Sequence, residues 1–241
     1  METPQMDATR GTAEYRLTGA LLLAGGALFI VGASFPPPSV FSSDVIEHLT
    51  TVGGHRARWL ANAAGMGLGS IVALFGLVLL TERLREKGDR GLSTLAMAAM
   101  GFGTVVWIVS LAFRFSLSDW AAHELAATGV VPIGYAAWWR WAGVLSGVYL
   151  VLGWLAVAAW GAAFLRTGLV PRWLGLGSLI TGGAGTLAVS VALALGGPSP
   201  PFLLYLMPLV TGIIMMRHPP SPATLDRRSS GSPRVSNREY R

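Results

Sequence analysis

The 241 residues carry 52% hydrophobic against 12% charged side chains and a mean hydropathy of +0.54, which leaves too few polar groups to cover a water-soluble domain of this length. The net charge of +6 is no nucleic-acid signal, because Arg56, Arg58, Arg114 and Arg140 are balanced by Asp44, Glu47, Asp119 and Glu124 and the excess falls on the other side of the apolar spans; no Gly-rich phosphate loop or nucleic-acid motif accompanies it. With no cysteine in the chain, a disulfide framework, a thiolate metal site and a cysteine nucleophile are all excluded.

In chain order, residues 1–14 are polar, with Glu2, Asp7, Arg10 and Glu14 among small side chains, and are expected to be disordered. After Tyr15-Arg16 an apolar run covers residues 17–35 and stops at Pro36-Pro37-Pro38, since proline lacks the N–H that a helix needs. Its length matches the roughly 20 residues that cross a hydrocarbon core. A signal peptide would also place Arg16 before the run and Val31-Gly32-Ala33 near its end, but the run is long for one and more spans follow. Further spans are expected at 59–80, 92–113, 141–164 and 173–195, with a charged turn at 81–90. A Gly-Gly-Pro-Ser-Pro-Pro turn at 196–201 leads into a shorter sixth span, 202–216, which Pro208 should kink. Residues 217–241, rich in Arg, Ser and Pro, read as a basic disordered tail.

A phrase recurs at the far ends of the first two hairpins. Ser43-Asp44-Val45-Ile46-Glu47-His48 is matched by Ser118-Asp119-Trp120-Ala121-Ala122-His123, and Arg58-Trp59 by Arg140-Trp141. The expected fold is therefore an all-α bundle of six transmembrane helices, with two pseudo-repeated hairpins, a reduced third, and short surface helices outside the membrane. Within the first surface helix Asp44 is the expected N-cap with Glu47 three residues on, and Val45, Leu49 and Val52 form an apolar stripe.

Orientation follows from the basic residues. Arg10, Arg16, Arg83, Arg85, Lys87, Arg90, Arg166, Arg172 and six tail arginines fall on one side, and only Arg56, Arg58, Arg114 and Arg140 on the other. That asymmetry predicts cytoplasmic termini and a partner in the anionic lipids of the inner leaflet. Trp59, Trp120, Tyr135, Trp138, Trp139 and Trp141 fall at the opposite boundary, where amphipathic rings prefer the headgroup zone. Gly65-x-x-x-Gly69 and Gly143-x-x-x-Gly147 are expected at helix contacts, as are Gly177, Gly182, Gly183 and Gly185.

The repeated Ser-Asp-x-x-x-His is the one hint of chemistry. Asp and His four apart share a helix face, and two such faces would offer Asp44, His48, Asp119 and His123, with His55, Glu47 and Glu124 nearby, as a nitrogen and oxygen set for a divalent metal such as zinc. The plainer reading is an Asp cap paired with its own histidine. No Asp, Glu, Lys, Arg or His falls inside a predicted span, whereas proton relays and ion pathways usually need one.

The turn Leu165-Arg166-Thr167-Gly168-Leu169-Val170-Pro171-Arg172-Trp173-Leu174-Gly175, together with the Phe35-Pro36-Pro37 end of the first span, resembles the cytoplasmic turn of a group of uncharacterised bacterial six-span membrane proteins of unknown function. The resemblance implies fold and residence in the bacterial cytoplasmic membrane and brings no activity. The expected role is a non-enzymatic accessory subunit or a binder of lipid or a small apolar ligand. A membrane metalloprotein or enzyme using the Asp/His set is the alternative, and a facilitative transporter the third. No cofactor is expected unless that set holds a metal, and no nucleic acid is expected as a partner; another membrane protein or a second copy is.

Overall fold

Apolar runs of this length fold as helices because lipid offers no partner for an open backbone N–H or C=O. The computed structural model describes residues 4–38, 44–195 and 201–217, and these are helical almost throughout, with no strand among the described residues. The order is α1 (Pro4–Ser34), α2 (Val45–Gly54), α3 (Arg56–Glu86), α4 (Gly91–Phe113), a π-helical turn (Arg114–Ser118), α5 (Asp119–Thr128), α6 (Tyr135–Thr167), α7 (Arg172–Leu195), a 3₁₀ turn (Pro201–Tyr205) and α8 (Leu206–Arg217). Among the described residues, five stretches are long and apolar enough to cross a membrane: Gly11–Ser34, Arg56–Glu86, Gly91–Thr128, Tyr135–Thr167 and Arg172–Leu195.

Three boundaries differ from the sequence reading. First, α1 begins at Pro4, so most of the polar segment expected to be disordered continues the first apolar helix. Proline fits a first helical turn, and a helix already nucleated propagates at little further cost. Second, α4 does not stop before the second Ser-Asp-x-x-x-His. Neither glycine nor proline lies between Phe113 and Asp119, and the helix passes through the π turn directly into α5. Third, the expected sixth span is a 3₁₀ turn followed by α8, and Pro208 does not fall mid-helix. It lies in the first turn, where the missing N–H is not needed. The basic tail from residue 218 and the turn at 196–200 lie outside the described residues.

The helices pack antiparallel in the order α8, α1, α3, α4, α6, α7. Along α1 and α3 the backbones nearly touch. A Cβ on Gly32 would meet the Gly65 carbonyl carbon at 2.8 Å, and one on Gly69 would meet the Phe29 nitrogen at 2.4 Å. Gly65 and Gly69 therefore stand where the spacing placed them, at a contact that only glycine permits. The same holds for Gly182, whose Cβ would lie 2.3 Å from the Ala158 nitrogen of α6, but Gly143, Gly177 and Gly183 have open space around them. The pairing of Gly143 with Gly147 as one contact motif is thus corrected: only Gly147 is covered, by Leu193 of α7.

Ion pairs and hydrogen bonds separate two ends. At the basic end Arg83 pairs with Glu14 and Glu86, Arg85 pairs with Glu82, and buried Asp89 accepts from the Ser93 amide at 2.8 Å. At the aromatic end Arg58 Nε donates to the Phe35 carbonyl at 3.0 Å. A second, smaller apolar core of Leu49, Val52, Trp59, Phe113, Tyr135 and Ala142 lies there, apart from the main core. Gly69→Leu is expected to lower stability by about 1–3 kcal/mol, the usual cost of overpacking, with Gly143→Leu close to neutral. Thermal unfolding of the two variants in detergent measures the contrast.

Candidate functional site

Chemistry-bearing side chains concentrate at the aromatic end, and α2 brings the first of them in. Asp44 caps α2, its Oδ1 accepting from the amides of Ile46 at 2.8 Å and Glu47 at 3.4 Å, which satisfies donors that a helix start leaves open. The cap fixes the phase of a short helix whose His48, Leu49 and Val52 are all buried. The His48 ring lies 4.0 Å from that of Trp139, 5.7 Å from Trp59 and 6.4 Å from Tyr135. It is fully enclosed.

The second copy of the phrase behaves differently because it sits within a running helix. Ser118 makes no side-chain cap; its hydroxyl accepts from Tyr135 Oη at 2.8 Å. Asp119 receives both arms of Arg56, Nε to Oδ1 at 2.6 Å and Nη2 to Oδ2 at 3.0 Å, the fork geometry in which arginine holds a carboxylate best. His123 is exposed, its Nδ1 donating to the Asp119 carbonyl at 2.8 Å and lying 3.9 Å from Oδ1. Although α2 and α5 pack side by side, with Ala122 against Gly53, their Asp and His residues have separate employment. Asp44 caps, His48 is sealed among rings, Asp119 serves Arg56, and His123 faces solvent. No group of three or more His, Asp or Glu side chains able to hold a metal ion occurs among the described residues.

Arg114 is a residue whose role sequence reasoning missed. Counted there only among the four bases of the aromatic end, it lies at the start of the π turn within the continuous helix, and helical side chains lean toward the N-terminus, here toward the bundle interior. Its guanidinium lies 5.6 Å from the Trp59 ring and 5.8 Å from that of Trp107. Its carbonyl accepts from Trp59 Nε1 at 3.1 Å. The signal was available: apolar residues continue past Arg114 at Phe115, Leu117 and Trp120 without a helix breaker.

From this cation an aromatic column runs to the middle of the bundle. Trp107 stacks on Tyr149 with centroids 4.9 Å apart, Phe29 stacks on Tyr205 at 3.7 Å, and the two tyrosine hydroxyls are bonded at 2.9 Å. Tyr205 ends the 3₁₀ turn, so this bond ties the last segment to α6 and the stack ties it to α1. Chemically, the arrangement is suited to sealing and positioning: a charged group held by rings, a histidine closed off, and two aspartates of which one caps and the other is paired.

A scan against protein-family models, a search of curated proteins and a search of solved structures each returned no match. His48→Ala is expected to lower stability by about 2 kcal/mol or more, as a buried ring lost from a packed site does. Arg114→Ala should lower it by about 2 kcal/mol through loss of two shielded cation–π contacts. Metal analysis of the detergent-purified chain is expected to find no stoichiometric zinc, in the wild type or in a His48→Ala/His123→Ala variant.

Proposed function

We propose that this chain is a non-enzymatic accessory subunit of the bacterial cytoplasmic membrane, which crosses six times and associates with another membrane protein through α7. The observation carrying this reading is the exposure of α7. Only 17% of its most apolar stretch is buried, against 33–56% in the other four long helices. Among the described residues its contacts are almost all with α6. The uncovered side carries Gly177, Thr181, Ala184 and Ala188 in helical succession between exposed Ile180, Leu187 and Val191, and the space over Gly177 and Gly183 is empty. Helices in lipid associate where small residues let backbones approach, so the partner is a membrane helix, and a second copy of this chain is one such partner.

Six crossings follow if the 3₁₀ turn and α8 together make the last one. Two features support this: α8 runs antiparallel to α1, with Gly212 against Leu23 and Leu209 against Gly26, and its last turn carries Arg217. The basic end then faces the cytoplasm and its anionic lipids. The two Ser-Asp-x-x-x-His hairpins read as a duplicated unit whose second copy lost its helix break.

Because the chain lacks cysteine, single-cysteine variants report directly. Cysteine at Lys87 should be labelled only from the cytoplasmic side and cysteine at Ile133 only from outside. A cysteine in place of Gly177 should cross-link to a neighbouring chain in native membranes, and Gly177→Leu/Ala184→Leu should abolish co-purification of that neighbour. A double variant that keeps its neighbour sinks the α7 reading.

A further inference from the structure

Beyond the proposed association, one further surface carries a ligand argument. The connection from α5 to α6 is short and held at both ends. Gly129 closes α5 in the left-handed conformation, φ 71°, with its amide bonded to the Leu125 carbonyl at 2.8 Å, an arrangement glycine adopts without strain. The Val130 amide donates to Thr128 Oγ1 at 3.2 Å, and the Tyr135 amide to the Pro132 carbonyl at 3.1 Å. Between this loop and α5 lies an open groove of about 290 Å³.

The walls are sorted by helix face. Ala121 and Ala122 of α5 are buried, with Ala122 turned to Gly53 of α2. Trp120 and Glu124, four residues apart and so on one face, line the groove, and Val130, Pro132 and Ile133 supply its apolar side. Ile133 is fully exposed and Trp120 about half exposed, an unusual cost for a soluble surface and an ordinary one at a lipid boundary. Trp138 and Trp141, near the start of the following helix, are exposed as well. Glu124 forms no ion pair with any described residue, in contrast to Asp119 one turn earlier.

A lone carboxylate beside an indole, over an apolar floor, matches one chemistry. A cation is attracted both to the carboxylate and to the indole face, and an acyl chain covers the valine, proline and isoleucine. We propose that this groove binds a membrane lipid with an ammonium headgroup, the nitrogen held between Glu124 and Trp120 and the upper chain lying along Val130 and Ile133. A phosphoethanolamine-type lipid has that combination; a glycerol-headed lipid has the same phosphate and no cation.

The test uses the full chain in a neutral sugar detergent, with retention of added lipid read by native mass spectrometry. Phosphatidylethanolamine and phosphatidylglycerol of identical acyl chains are compared. Phosphatidylethanolamine is expected to be retained about tenfold better, the equivalent of one favourable charge contact. Glu124→Gln, a half-exposed and isosteric change, should remove that preference while leaving the unfolding temperature unchanged, and Trp120→Ala should weaken retention of phosphatidylethanolamine alone. Equal retention of the two lipids by the wild type, or an undiminished preference in Glu124→Gln, overturns the proposal. Free ethanolamine competing as effectively as the lipid overturns the assignment to a lipid. Since α7 takes no part in the groove, loss of this preference leaves the association experiment unaffected.

Discussion

At the contact between Gly32 and Gly65 no side chain separates α1 from α3, and much of the aromatic end is set by that approach. Lipid tails solvate leucine as well as a protein core does, so helices gain by fitting together more than by hiding apolar area. Two backbones at this distance bring polar groups within reach of each other across the interface. Asn62 of α3 donates to the Gly32 carbonyl of α1, and Arg58 donates to that of Phe35, both of which lie at the end of α1. Those bonds hold the mouth of the first hairpin, against which α2 folds back. Were α1 and α3 held apart, Trp59 would lose the position from which it meets both His48 and Arg114.

The second consequence is a division of labour between two cores. The main core is apolar and aromatic, and ends upward in the Trp107–Tyr149 stack. The smaller one gathers the ends of α3, α4 and α6 under α2 and α5. Arg114 stands at the junction and touches a ring from each. A guanidinium is weakly hydrated and flat, and so tolerates such a place better than an ammonium group does. Polar residues at this end thus tie elements together, as Asp119 does for α3 and α5 and Tyr135 does for the π turn and α6.

Much of this was legible from residue order, and the exceptions have physical reasons. Runs of about twenty apolar residues, the proline stop after Phe35, the Asp44 cap and the Gly65/Gly69 contact all follow from local rules, and each stands in the structure. The likeness of the two Ser-Asp-x-x-x-His phrases misled, because identical side chains take different work when one follows a helix break and the other a continuous helix. Gly143 shared a spacing with Gly65 but not a neighbour, since periodicity gives a face and says nothing of what covers it. The burial of His48 needed three aromatic residues from α3 and α6, and the isolation of α7 needed the whole packing order. Neither is encoded within a window of sequence.

The π turn at residues 114–118 has a mechanical meaning. A wide turn holds one residue more than an α-helical turn of the same rise, so everything beyond it is rotated by about 100° relative to an unbroken helix. That rotation aims Ala121 and Ala122 at α2 and Asp119 at Arg56, while leaving Trp120 and Glu124 turned away. A one-residue deletion inside the turn would swing the whole upper segment round like a misset hand on a dial, turning Ala121 to where Trp120 now points without altering any side chain beyond the deletion.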